Sequence, residues 1–527
     1  MQDGLAALAD NLLGTILVNG GRAAEARTVC KDFRRIYDLH NTSNLVLHGP
    51  AGVEQKVADI LRLSPSLTTL SVKGNCGMDL AQIFHAQHLT SIRELRLLPP
   101  HRVSLVNLPA LSSLQTLRRF DSGGYDLRPP DMEALGALSG LTRLDLAFSL
   151  ACCPAALPPL LRRSTGLLHL DISHNTSIDM DAVGQALTNL PRLQHLALWS
   201  SVTGDDAALA PHLTALSALR TLELGHIVSG RSVAEAMALT LSSLSALQVL
   251  RIDNLHDHKR TAWAVALAPA LGRLTALQQL SLSDNNIEDA ALASPLRLLT
   301  ALTHLDLAET NLHQALLLAI GHLSRLVRLG LRSTNLDGRQ SVLAESLSHL
   351  PSLQYLDVSR NRMATFVLPA AAMTALHHLD LSHNDLGRNT GRGLDAVLAA
   401  LCHWLVPIRH LNLSNNKIMS SSARFASLGN LTSLTHLDLS SNCISYSCDI
   451  KDLAPQLAHL SLLRHLDLSN NGIYLPLYME VLVKHINPLR RLQHIRLSGN
   501  NKDCIDNRLN VHLQILRSSV LDRVVLL

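Results

Sequence analysis

The chain has 527 residues, 47% of them hydrophobic but only 3% aromatic, so its apolar content is aliphatic, chiefly Leu with Ala beside it. At about 150 residues per domain this length would make three or four ordinary domains, unless one repeating architecture absorbs most of it. A charged fraction of 17% with mean hydropathy +0.16 excludes a disordered chain, and 46 Lys+Arg against 42 Asp+Glu, a balance of +4, is too weak an excess to point to a nucleic-acid or anionic-membrane partner.

The first forty residues precede any repeat. MQDGLAALADNLLGTILV has an acid ahead of its apolar run, no Lys or Arg before Arg22 and no small-residue cleavage pattern, so it does not read as a secretory signal. No stretch of the sequence approaches the roughly 18 uninterrupted apolar residues that a bilayer span needs. From Leu8 to Asp38 the chain places Leu8, Asp10, Leu12, Leu13, Ile16 and Leu17, then Val29, Cys30, Lys31, Phe33 and Arg34. This spacing resembles an F-box, whose pattern runs Leu-Pro, an acid, two or three apolar residues, Ile-Leu, a polar gap and Val-Cys-Arg-x-Trp-Arg. Ala9 for Pro, Gly20 for Leu, Ala23 and Ala24 for an aliphatic pair and Phe33 for Trp depart from it, and all remove apolar area. The resemblance implies a helical hairpin over residues 1–40 that docks on a Skp-type adaptor through Leu12, Leu13, Ile16, Leu17, Val29, Cys30 and Phe33. Such docking would attach the chain to a cullin-RING ubiquitin ligase. The residues alone equally allow helices that serve only as a cap, burying Leu12, Leu13, Ile16 and Val29 against the first repeat.

From residue 41 to 527 one pattern recurs, LxxLxLxxN, as in LTHLDL from Leu302, LHHLDL from Leu376 and LRHLDL from Leu463. Its first apolar position falls at 67, 92, 114, 141, 167, 193, 219, 247, 277, 302, 326, 353, 376, 408, 434, 463 and 492, with further candidates at Thr42 and Leu521. The unit at 114, LQTLRRF, is the poorest match. These are leucine-rich repeats, about 17 to 19 of them. The expected fold is an α/β solenoid, a curved horseshoe with parallel strands on its concave face and helices on its convex face. In each unit, positions 1, 4 and 6 point into the core, while positions 3 and 5 leave the strand outward. Asn at position 9 occurs nine times, where a buried amide can bond the turning backbone. The returns 233–244 and 264–274 have apolar residues at helical spacing. Together these features resemble the ribonuclease-inhibitor-like class, although units of 22 to 24 residues leave little room for a helix. The chain stops inside an apolar strand, VLDRVVLL, whose exposed side either Asp522 and Arg523 or a partner must cover.

Two columns stand out on the expected concave face. Position 3 is His in eight units: His169, His195, His304, His378, His410, His436, His465 and His494. Position 5 is acidic in eight, among them Asp380, Asp438 and Asp467, and Tyr355 stands just ahead of the histidine run. Three readings are open: solvated positions copied by repeat duplication, contacts for a protein partner, or a metal site. Rings about 4.8 Å apart and side by side do not converge on one ion, so no metal is expected. Their titration near pH 6.5 has no evident direction, because imidazolium neighbours repel each other while the acids attract.

No phosphate loop, HExxH, GxSxG or GxGxxG follows a strand, so neither an enzyme nor a cofactor is expected. The HDHK run at 256–259 reads as an exposed insertion, and Cys152 and Cys153 as small buried hydrophobes. Eight cysteines without CxxC pairs suit reduced thiols in a cytoplasmic or nuclear protein, leaving the Asn41, Asn175, Asn412 and Asn430 sequons unused. The expectation is non-enzymatic recognition of a protein on the concave face, as the substrate-recognition subunit of a ubiquitin ligase. Its rival is a ribonuclease-inhibitor-like or cytoskeletal scaffold, including one of the ciliary axoneme.

Overall fold

A computed structural model describes residues 16–18, 27–28, 44–47, 67–73, 91–98, 109–175, 177–200, 208–225, 231–254, 262–285, 290–388, 392–418, 425–444, 447–473, 476–500 and 525–526. The chain divides into two compact units, residues 1–258 and 259–527. Both are built from short strands that alternate with helical returns.

In the first unit the strands are β1 (Ile16–Val18), β2 (Arg27–Thr28), β3 (Asn44–Leu47), β4 (Thr69–Lys73), β5 (Glu94–Leu98), β6 (Arg119–Asp121), β7 (Arg143–Asp145), β8 (His169–Asp171), β9 (His195–Trp199), β10 (Thr221–Gly225) and β11 (Val249–Asp253). From β3 to β11 each strand pairs parallel with the next, and the position 4 residues stand opposite one another, as Leu144, Leu170 and Leu196 do. β1 pairs antiparallel with both β2 and β3. Ile16 and Leu17 are therefore strand residues where a helical hairpin was expected. Ile-Leu-Val is β-branched at both ends, and pairing there satisfies an edge that β3 would otherwise leave open. Leu12, Leu13, Val29, Cys30 and Phe33 lie outside the described residues.

The second unit holds β12 (Gln279–Ser281), β13 (His304–Asp306), β14 (Arg328–Gly330), β15 (Tyr355–Asp357), β16 (His378–Asp380), β17 (His410–Asn412), β18 (His436–Asp438), β19 (His465–Asp467), β20 (His494–Arg496) and β21 (Val525–Leu526). All pair parallel in sequence order. Their register sets Tyr355, His378, His410, His436, His465 and His494 side by side.

The anchors are the core. Leu141, Leu167, Leu302, Leu376 and Leu463 are all under 2% exposed, as are the position 4 residues Leu144, Leu170 and Leu379. Each buried Leu contributes about 1.5–3 kcal/mol against its exposed state. One anchor differs from the sequence spacing. Pairing of Leu95 with Phe120, and of Phe120 with Leu144, makes Leu117 rather than Leu114 the first position of its unit. Phe120 then fills the position 4 slot, and Ser122, buried at position 6, bonds Ser149 Oγ at 2.6 Å. A polar residue in an apolar slot hid the register. The last strand is also shifted, because His494 faces Val525 and so position 1 falls on Arg523, not Leu521.

The longest returns belong to the longest units. Helices span Arg231–Ser243, Ala262–Leu271 and Arg392–His403, the last burying Leu394, Val397, Leu398 and Leu401 at helical spacing. The 23-residue unit from Leu353 returns through a single tight turn at Ala370–Ala372, but 24-residue units still fit the helices Pro129–Gly136 and Gln314–Ile320, contrary to expectation.

Position 9 is a ladder of buried amides. Asn384 Nδ2 donates to the carbonyls of Val358, Leu381 and Ser382, while its Oδ1 accepts the N–H groups of Asn361 and Met363 at 3.0 Å. Asn361, Asn416, Asn442 and Asn471 do the same one unit apart. Thr310 and Thr334 fill the column with hydroxyls that donate to Leu307 and Leu331 carbonyls. The residue before each amide sits in the left-handed region, with Arg360, His383, Asn415, Ser441 and Asn470 at φ 54 to 57. That conformation, unfavourable outside glycine, is held because each N–H donates to a carbonyl of the next unit along the chain, such as His383 to Ser414 at 2.8 Å.

Candidate functional site

The second unit's strand face carries a continuous stack of rings. Centroids are 4.2 Å apart from Tyr355 to His378, 5.3 Å to His410, 4.0 Å to His436, 4.1 Å to His465 and 4.6 Å to His494. Parallel strand pairing sets this spacing, since each ring leaves the same position of neighbouring strands. The Arg328 guanidinium lies 4.5 Å over the Tyr355 ring and closes one end.

Stacking settles how the histidines titrate. Burial, followed by repulsion from neighbouring imidazoles, pushes His378 and His436 down to about 4, and lowers His410 and His465 as well. Burial outweighs the acids, and His378 and His436 are neutral at pH 7. They are half-buried rather than solvated.

Two residues along each strand lies the acid column. Asp357, Asp380, Asp438 and Asp467 each accept the N–H of the serine two residues on, at 2.8 to 2.9 Å, which fixes one carboxylate oxygen. Asn412 occupies the same position and does likewise for Ser414 at 3.0 Å. Asp380 Oδ2 also accepts Asn412 Nδ2 at 2.9 Å, and Asp467 Oδ2 stands 3.7 Å from Arg496. Burial raises Asp357 and Asp438 above the ordinary carboxylate range. Between the two columns is a depression of about 280 Å³ lined by the five histidines from His378 to His494, by Asp380, Asn412, Asp438, Asp467 and Arg496, and by the leucines between them.

The first unit has a shorter counterpart. His169 and His195 stack at 3.9 Å, and burial with repulsion from His195 and Arg143 pushes His169 down to about 3. Asp145, between Asp121 and Asp171, is raised to about 6 by burial and then by its two acidic neighbours. Phe148 stacks on His174 at 4.2 Å and is half exposed.

Tyr355, His378, Asp380, His410, His436, Asp438, His465, Asp467 and His494 thus lie together on one face. Arg328, Asn412 and Arg496 were not singled out from sequence, although they occupy the same two columns. The register alone would have found them. Cys153 is buried, its Sγ donating to the Leu127 carbonyl, but Cys152 is exposed, contrary to expectation. The 256–259 run lies outside the described residues. Among the described residues no helix is long and apolar enough to cross a membrane.

A family model described as a leucine-rich repeat region matches residues 149–405, and a second leucine-rich repeat model matches residues 430–447. No curated protein matches. Among solved structures, an internalin of Listeria monocytogenes shares 19% identity over 79% of this chain and 94% of its own, with a TM-score of 0.39. A complex of TLR13 with ssRNA13 shares 19% over 89% and 68%, with a TM-score of 0.47. A leucine-rich repeat protein of Leptospira interrogans shares 16% over 90% and 97%, with a TM-score of 0.38.

Proposed function

From the premise that this chain is a leucine-rich repeat protein, we propose that it is a non-enzymatic recognition protein whose second unit binds a protein partner on its strand face. The observation that carries this reading is the ring stack beside the acid column. Six rings and four carboxylates stand ordered by the strands themselves, so little side-chain freedom is lost on binding. A cytoplasmic or nuclear location belongs to the same reading, with Cys152, Cys153, Cys402 and Cys443 all unpaired. The helical returns are what favour the ribonuclease-inhibitor-like class.

Affinity purification of three versions tests it: wild type, a strand-face variant (His410→Glu with Asp438→Arg) and a helix-side variant (Arg297→Glu with Glu345→Arg). A protein recovered with wild type and the helix-side variant, but lost from an equally stable strand-face variant, supports the reading. The same proteins recovered with all three would refute it.

A second reading concerns the N-terminus. Substrate recognition for a ubiquitin ligase needs a Skp-binding helical hairpin, whereas a strand at Ile16–Val18 paired to β3, with Arg27–Thr28 paired to it in turn, favours a segment that only covers the sheet edge of a scaffold, cytoskeletal or axonemal ones included. Pull-down with a Skp-type adaptor decides between them. Binding that is lost on removing residues 1–40 selects the ligase subunit, and its absence selects the cap.

A further inference from the structure

Resting on the reading that the second unit's strand face binds protein, we propose that the depression over His410, His436 and His465 is an anchor for a guanidinium group, an arginine side chain of the partner, with Asp438 as its counter-charge. Three observations lead there. First, the carboxylates that flank Asp438 already have partners, the Asn412 amide for Asp380 and the Arg496 guanidinium for Asp467. Among the described residues Asp438 enters no ion pair, and its hydrogen bonds go to Ser440.

Second, the charges are complementary to a cation. The depression's lining has three carboxylates and one guanidinium, with His378 and His436 neutral at pH 7, on a chain of net charge +4. Arg409 and Arg464 are exposed beside the histidine column on the side away from the acids. They disfavour a cation arriving from that side and leave the acid side as the approach.

Third, a guanidinium of this face already lies against the ring row, that of Arg328 over Tyr355 at 4.5 Å. A planar guanidinium can lie against the ring edges while donating two hydrogen bonds to one carboxylate; a lysine ammonium has no plane to offer and donates to a single point. The half-buried setting of Asp438 raises the cost of its bare charge, which a paired cation removes.

The test uses the full chain and a fluorescent hexa-arginine peptide, read by anisotropy at low salt against hexalysine and hexaglutamate. Asp438→Asn keeps the acceptor that fixes the turn, as Asn412 does naturally for Ser414, so this variant should fold like wild type. Asp357→Asn, outside the depression, is the control. The proposal expects hexa-arginine to bind tighter than hexalysine by at least fivefold, Asp438→Asn to weaken it at least tenfold, and Asp357→Asn to change it less than twofold. Equal binding of the two basic peptides, or equal loss from both variants, would overturn it. A partner recovered by purification that binds wild type and Asp438→Asn equally would overturn the anchor while leaving recognition by this face intact. Loss of the wider reading shows separately, as the strand-face variant retaining every protein.

Discussion

The imidazoles of His436 and His465 lie face to face, 4.1 Å apart with 12° between their planes, each the neighbour of another histidine on its far side. A proton on either ring places a charge beside a ring in a half-buried row. The fold therefore favours the neutral form of both.

This gives stability a direction with pH. With His378 and His436 near 4 in the folded chain against about 6.5 in the unfolded chain, folding favours the neutral form. The stability associated with them is complete above pH 6.5 and is lost as pH falls from there through about 4. Asp145 acts oppositely: raised to about 6, it penalises the fold above that pH and relieves it as pH drops toward the ordinary carboxylate value. Replacing His378, His410, His436, His465 and His494 by Gln leaves Asp145 in place. The melting temperature of this variant should fall less than that of wild type between pH 6.5 and 4, and parallel curves would contradict the assignment. Because His378 and His436 are held down near 4, their contribution to partner affinity should be flat from pH 8 to 5.5 and change only as pH falls further toward 4.

The repeat register predicts a sharp contrast between adjacent residues. Leu379 is fully buried, and Leu379→Ala should cost about 2–5 kcal/mol. His378→Ala removes a half-buried ring from the stack but opens no core cavity, and should cost about 1 kcal/mol or less. Chemical denaturation of both variants checks this; equal losses would place the strand the wrong way round.

The amide ladder predicts a second contrast. Asn384→Ala leaves two N–H groups and three carbonyls without their side-chain partner in a buried column, at a cost of about 2–4 kcal/mol. Asn384→Thr should cost less than half of that, because Thr334 serves its own unit with a hydroxyl at 2.8 Å. Similar midpoints for the two variants would mean that the cavity, not the hydrogen bonding, sets the cost.

Much of this was legible in the sequence because a repeat multiplies its own signal. A Leu every few residues at a fixed spacing marks the core, and HLDL, which occurs four times, marks the ring and acid columns. What hid was whatever broke the pattern. Phe120 and Ser122 obscured one unit's register, and Thr310 and Thr334 took the place of Asn in the ladder. The titration of the histidines was beyond sequence reasoning, because its sign depends on burial that only the stacked geometry supplies. Ile16–Val18 failed for a different reason: an apolar run of this length suits helix and strand alike, and pairing with β3 decides it.

Leu405 predicts a gain. It closes the helix Arg392–His403 at φ 51, 85% exposed, where Val406 N–H reaches back to the Leu401 carbonyl. This turn position favours glycine. Leu405→Gly should stabilise the chain by about 0.5–1 kcal/mol, since the strain removed exceeds the little burial lost. A lower melting temperature would show that the exposed side chain makes a contact the geometry does not reveal.

Site-specific photocrosslinking tests the strand face as a recognition surface most directly. A benzophenone amino acid is placed at His436 in one version and at Arg297, on the helix side, in another. The account predicts that the protein recovered by purification crosslinks to position 436 and not to 297, and that the crosslink disappears when Asp438→Arg is added. A crosslink at 297 with none at 436 would contradict it.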